Sequence, residues 1–420
     1  EGRPLEPVEK YLPYRELGGD EDTIAMLFDH ARDQEDFALP GYAFDSFNDT
    51  LGTQTFAPQY TFTEKTELVE TAEAIWNMGS NIIKFDLSPE IFGVRYHLPK
   101  QESINSLRQV VRREPSVRHV LEMPFAHYLL WAYPHSIPGS QYHHWRDGLS
   151  EEEAEKDYRE MYDLTASLLE DFSGTHKRFY LGHWEGDWAL LGSFNPEDTP
   201  APEASQGMID WLNVRQKAVE DAKRDTPHED VEVYHYTEVN LVRKAMQGKP
   251  AVTNDVLPHV DVDYVSYSCY DSLYDPKAYI KGFPAMSRVL KQSLDYIQQK
   301  LPSKDMPGRR VFIGEYGFPL ERVQYPNQQA KASCSVMRTA LEWGCPFALY
   351  WQLYCNEPAP DGGLRGFWMI DSEGEKQPVY KTHKKFLRMC RDYVRDVRLQ
   401  KGKTPGREEF LEKGIQFLQP

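Results

Sequence analysis

The feature that most constrains this chain is a rhythm. Short runs rich in Val, Ile, Tyr and Phe alternate with amphipathic stretches of 12 to 20 residues. That alternation is the signature of repeated βα units, in which a parallel sheet is covered by helices. The apolar runs place strands at 41–47, 81–86, 117–124, 178–184, 231–237, 260–267, 310–315 and 346–352. Stretches such as "TELVETAEAIWNMG" and "NQQAKASCSVMRTALEWG" lie between them and close on Gly, as helix C-termini do. Eight strands, each followed by a helix, close best into an α/β fold of the (β/α)8 or TIM-barrel type, and 420 residues suit one such domain with long βα loops. An open doubly wound sheet is the alternative, but no Gly-rich phosphate turn follows the first strand. Residues 1–36 read as a charged arm, 37–397 as the barrel and 398–420 as a polar tail. Residues 353–377 read as a long loop after the last strand.

Charge and composition narrow the partners. A net charge of −17 disfavours nucleic acid and anionic membranes, which need clustered Lys and Arg, and no apolar run is long enough to span a bilayer. Twenty-five Tyr and nine Trp suit flat, amphipathic ligands such as sugars, although a large barrel also needs big core residues. The five cysteines are widely spaced without a CxxC pair, so zinc and redox chemistry have no support and at most two disulfides could form. The opening "EGRPLEPVEKYLP", without an initiating Met, and the sequon Asn48-Asp49-Thr50 are compatible with a secreted or periplasmic protein. Neither a Walker motif nor a G-x-S-x-G elbow occurs, and no cofactor is expected.

In a barrel, function sits at the C-terminal ends of the strands. Taken in order, those ends offer Asp86, Glu122, Glu185, Glu238, Tyr267, Glu315 and Trp351. Glu185 in "HWEGDW" and Glu315 in "IGEYG" stand out, because each ends an apolar strand and precedes an aromatic or glycine turn. Strands four and seven face one another across the mouth of an eight-strand barrel. Hydrolysis of an acetal at a sugar needs two carboxyl groups flanking the bond, one donating a proton and one attacking or activating water. Asp187 is an alternative acid, or a like charge that raises the pKa of Glu185. "HVDVDY" puts His259, Asp261 and Asp263 on one strand face, but near that strand's start, so ion pairing is expected there and no metal site. "WAYPHS" and "YHHW" fall in the loop after strand three and read either as a sugar-binding rim or as ordinary packing.

The segments "FIGEYGFP", "ALYWQLY", "VSYSCYDS" and "GFWMIDSEGEKQPVYKTHKKF" together resemble the clan A glycoside hydrolases, a group of retaining (β/α)8 enzymes, over roughly residues 40–395. The resemblance implies a poly- or oligosaccharide substrate, Glu315 as nucleophile and Glu185 as general acid and base. It further implies a hydrogen bond from Tyr267 to the nucleophile and a subsite floored by Trp351. Enzymes of this clan carry Asn immediately before the acid, where it bonds the sugar 2-hydroxyl. Here that place is Trp184, and His183, His235 and Asn240 are the candidates to replace it. Asp86 and Trp188 complete the expected sugar-binding set. Glu185, walled by Trp184 and Trp188, should have a raised pKa, whereas Glu315 should stay ionised through Tyr267 and other donors. The second reading is a carbohydrate-binding barrel that has lost turnover.

Overall fold

The computed structural model describes residues 50–137, 143–275 and 282–418. Eight parallel strands close into a barrel in sequence order: β1 (Leu51–Gln54), β2 (Ile82–Asp86), β3 (His127–Trp131), β4 (Arg178–Gly182), β5 (Glu232–Val239), β6 (Tyr264–Ser268), β7 (Val311–Tyr316) and β8 (Ala348–Tyr350). β1 meets β8 with Leu51 beside Ala348, so no strand edge is left open. The main helices outside are α1 (Glu67–Met78), α2 (Leu107–Arg113), α3 (Pro115–Glu122), α4 (Glu151–Asp171), α5 (Gly186–Leu191), α6 (Pro202–Asp225), α7 (Phe283–Lys300), α8 (Pro326–Trp343), α9 (Pro378–Lys401) and α10 (Arg407–Phe417). Strands covered on both faces are buried along their whole length and carry apolar runs, which is why they could be read from the sequence.

Local signals set the helix ends. Ser150 and Glu153 form a capping box that starts α4. Gly79 and Gly344 close α1 and α8 in the left-handed region, at φ 101° and 80°. Two glycines inside the barrel serve close approach instead. A Cβ on Gly182 would lie 2.3 Å from the Tyr236 ring, and one on Gly314 would lie 1.8 Å from Ser266 Oγ. Their lack of a side chain lets Tyr236 fill the barrel and brings Ser266 and Glu238 under β7.

Six strands lie where the sequence placed them, to within a few residues. The segment 41–47 falls outside the described residues, as do the arm 1–36 and Asn48 of the sequon, and β1 is the next run, "LGTQ". The segment 117–124 is no strand. Pro115 opens a helix there and the Glu114 carboxylate accepts the Val117 N–H at 2.7 Å, a capped start that outweighs the β-branched residues. Glu122 therefore sits exposed at the end of α3, paired with Arg118, and Trp131 ends the third strand. At the other end α9 continues past residue 397 to Lys401, and α10 lies against α8 with Phe410 buried.

The five cysteines form no disulfide with one another, and Cys269, Cys345, Cys355 and Cys390 are buried thiols. Among the described residues no helix is long and apolar enough to cross a membrane.

Candidate active site

The site is built on a buried cation that the sequence reading passed over. Lys84 stands in the middle of β2, fully buried, and its ammonium reaches Glu238 Oε2 at 3.2 Å, Gly314 O at 3.3 Å and Glu315 Oε1 at 3.4 Å. Those three acceptors match its three N–H donors. Its charge also lies 5.1 Å from the Trp131 ring and 5.8 Å from the Phe56 ring, where the faces of the π-systems attract a cation.

Glu238, near the end of β5, is the anchor. One of its oxygens accepts from Lys84 and from Ser266 Oγ (2.6 Å), the other from Ser268 Oγ (3.1 Å) and the backbone N–H of Glu185 (3.0 Å). A carboxylate offers about four lone-pair sites, so Glu238 is saturated and has no lone pair left for a substrate. It instead ties three strands and the backbone of Glu185 into one network. Glu238 and Lys84 both fall at every-second-residue positions that face the barrel, Glu238 with Tyr234 and Tyr236 and Lys84 with Ile82. A charged residue within an apolar, doubly covered strand was the available signal for Lys84.

Glu185 and Glu315 line one cavity of about 320 Å³ at the mouth. Glu185 precedes α5 and Glu315 is the penultimate residue of β7, before Tyr316. Burial pushes the Glu185 carboxyl well above the usual carboxylate range, the charges of Glu315 and Glu238 add to the shift, and a hydrogen bond from Trp188 opposes it. Burial also pushes Glu315 up, to about 8, and Lys84 pulls it back. This departs from the expectation that Glu315 stays ionised through Tyr267 and other donors. Of the two, Glu315 is the one that ionises first, because the ammonium touches it directly. Its second oxygen faces the hydroxyl of Tyr270 at 3.4 Å.

Aromatic rings and one ion pair complete the walls. Trp184, Tyr270, Trp351 and Phe367 line the cavity with Glu357 and Arg365. Trp351 stacks on Phe56 at 5.6 Å, which in turn lies 3.9 Å from Trp131. Strand-end reading missed Trp131 because the third strand was misplaced.

Other expected site residues are held elsewhere. The Tyr267 hydroxyl bonds Asp271 and Ser272, so the tyrosine that faces Glu315 is Tyr270, three residues on. Asp187 accepts the backbone N–H groups of Asn240, Leu241 and Val252 at 2.8 to 3.0 Å, which spends its carboxylate on bracing the loop after β5. Asn240 in turn accepts the Asp187 N–H. His183 and His235 point outward to the helices. His183 pairs with Thr237 at 2.7 Å and packs on Trp211 of α6, and His235 pairs with Gln216 of the same helix. Burial lowers the pKa of both rings, that of His183 to about 4. None of the three candidates to replace the missing Asn lines the cavity. Asp86 is bonded by Ser88 and by Arg95 at 3.0 Å, a brace for the loop after β2. Of the loop rings, Trp145 is buried against Trp211 and His144 pairs with Asp157, so both are packing. Asp263 at the start of β6 pairs with Lys304 at 2.8 Å.

In sequence the chain matches no known protein family and no curated protein. In fold it is similar to solved glycoside hydrolases. A GH5_18 structure from Bifidobacterium longum subsp. infantis matches 81% of this chain and 78% of its own at TM-score 0.55 and 12% identity. A GH5_18 structure from Bifidobacterium longum subsp. longum, in complex with Manb1-4GlcNAc, matches 81% of this chain and 78% of its own at 0.53 and 13%. The exo-beta-1,4-mannosidase Op5Man5 from Opitutaceae bacterium strain TAV5 matches 82% of this chain and 60% of its own at 0.52 and 12%. A family 39 glycoside hydrolase from Bacteroides cellulosilyticus WH2 is also similar, and the chain spans 62% of its length. At such identities the likeness is one of architecture: the chain shares the (β/α)8 barrel of these structures.

Proposed function

We propose that the chain is a retaining glycoside hydrolase that cleaves a glycosidic bond in a poly- or oligosaccharide. One observation carries this reading: two buried carboxyl groups line the same cavity in unequal surroundings, Glu315 in contact with an ammonium and Glu185 against tryptophans. Unequal surroundings are what divide an acid from a nucleophile at one pH. In the first step Glu185 donates its proton to the glycosidic oxygen as Glu315 attacks the anomeric carbon; the alcohol leaves and a glycosyl-enzyme ester forms. In the second, Glu185 takes a proton from water, the water oxygen attacks the same carbon, and Glu315 departs as carboxylate. Lys84 and Glu238 are positioning groups in this scheme. A secreted or periplasmic setting is part of this reading.

Hydrolysis of a panel of oligosaccharides by the unmutated protein and by Glu185→Gln and Glu315→Gln tests the assignment. Losses of about 10²- to 10⁴-fold are expected, and near-unchanged rates in either variant remove that residue's role. Retention of anomeric configuration, read by proton NMR during the first turnovers, tests double displacement.

The second reading, a carbohydrate-binding barrel without turnover, is favoured by Trp184 standing where the clan keeps its Asn. Binding of the panel with no released reducing ends supports it over the first.

A further inference from the structure

One wall of the cavity carries an ion-pair array from the loop after β8. Glu357 accepts the Trp351 indole N–H at 2.9 Å through Oε1 and an Arg365 guanidinium N–H at 2.6 Å through Oε2. Arg365 donates its Nε–H to Glu321, also at 2.6 Å. The loop that carries the pair is itself fixed. The Arg365 N–H returns to Glu357 O at 2.9 Å, and the Gln329 side chain of α8 holds Gly366 O at 2.8 Å. Glu357 and Arg365 are each about one-third exposed, so they face the cavity with water on one side.

Two consequences follow. First, Trp351 and Arg365 use two of the roughly four acceptor sites of the Glu357 carboxylate and hold it in one orientation, which leaves acceptor capacity toward the cavity. A carboxylate so fixed is a bidentate acceptor for adjacent sugar hydroxyls. Secondly, the charges around the cavity do not balance. Three carboxyl groups line it, Glu185, Glu315 and Glu357, against one lining cation among the described residues, Arg365, with Lys84 behind Glu315 and the Arg322 guanidinium stacked on the Tyr274 ring. Arg365 is the one guanidinium lining the cavity among the described residues, and it is already spent on two carboxylates. An acidic sugar entering here would bring a further negative charge beside Glu315 and Glu357, where the lining guanidinium already pairs with two carboxylates.

We propose that Glu357 is the hydroxyl-recognising residue of this cavity and that the sugar bound beside Glu185 and Glu315 is uncharged, with uronates rejected by the surplus of carboxylates. The inference deepens the proposed function and rests on it for the identity of the reacting carboxyl pair. Its test uses binding rather than turnover, so the two readings fail separately.

The probes are thio-linked disaccharides, which are not cleaved: uncharged gluco, galacto and manno forms, and the form with glucuronate at its non-reducing end. Calorimetry on the unmutated protein should show at least one uncharged probe bound at least about 10-fold more tightly than the uronate. Raising the salt concentration should narrow that gap by screening the carboxylates. Glu357→Gln should weaken the best uncharged probe about 10- to 100-fold, as loss of charge-assisted hydrogen bonds does, while thermal unfolding checks that the variant is folded. Three results overturn the proposal: uronate binding equal to or tighter than that of every uncharged probe, no binding of any uncharged probe, or unchanged affinity in folded Glu357→Gln. Selective binding of an uncharged probe with no hydrolysis of its oxygen-linked counterpart would remove the hydrolase reading and leave this one standing.

Discussion

Two buried charge clusters among the described residues are built to opposite rules. Between the helices, Asp157 of α4 meets Arg215 of α6 at 2.9 Å, His144 at 2.9 Å and the Trp211 indole at 2.7 Å. One carboxylate there has a cation and two further donors, and its pKa is lowered despite complete burial. At the barrel mouth, one ammonium touches two carboxyl groups, Glu238 and Glu315, and the two that line the cavity, Glu185 and Glu315, have raised pKa values. The first cluster gathers enough donors to stabilise its charge, as a structural ion pair must. The second leaves charge uncompensated, which destabilises the fold locally and, in the proposed mechanism, supplies a proton to give and a carboxylate to attack.

The largest expected effect separates the clusters by what they lose. Asp157→Asn strands Arg215 without its carboxylate and should cost about 3–5 kcal/mol of stability, read from chemical denaturation, while the folded protein keeps its hydrolytic rate within a few-fold. A matching loss of activity in folded Asp157→Asn would break the contrast. Lys84→Met should act on chemistry instead. It removes the ammonium that favours ionised Glu315, so the rising limb of the kcat/KM pH profile, set by that ionisation, should move to higher pH. An unmoved limb would mean that Lys84 only fills space.

The clusters should also pull stability in opposite directions with pH. The raised carboxyls bind more protons folded than unfolded, so their contribution is full below about pH 4.5 and is lost as pH rises toward about 8. The depressed Asp157 contributes above its unfolded pKa of 3.8, and that stability is lost as pH falls. Urea unfolding across this range should show Glu315→Gln flattening the alkaline decline and Asp157→Asn flattening the acid one. The smallest effect is that of Tyr270→Phe. Its hydrogen bond to Glu315 is long, at 3.4 Å, so a loss of no more than about 1 kcal/mol, under tenfold in kcat/KM, is expected. A larger loss in steady-state rates would place the phenol closer to the chemistry than the geometry does.

Much of this arrangement was legible in the order of residues. Strand periodicity is a local property of doubly covered strands, and six strands could be located from it together with the two strand-end glutamates that face the cavity. Where a local signal was ambiguous it misled. "VRHVLEMP" has the β-branched content of a strand, but Pro115 and the Glu114 cap make it a helix, and the true strand end, Trp131, was lost with it.

What the sequence could not yield was which side chains meet. Tyr267 and Tyr270, or Asp187 and Glu185, are neighbours along the chain with equal credentials, and only the turn of the backbone after each strand decides which one looks into the cavity. His183 and His235 are as chemically apt as any site residue, yet strand alternation turns them outward to α6. The Lys84–Glu238 pair spans 154 positions and joins β2 to β5 across the barrel. The chain by itself determined the barrel and the residues at its strand ends, because hydrophobic period and chain order are written locally. Barrel closure alone decided that one buried ammonium would hold Glu238 and Glu315 together, because strands far apart in sequence then share a single interior.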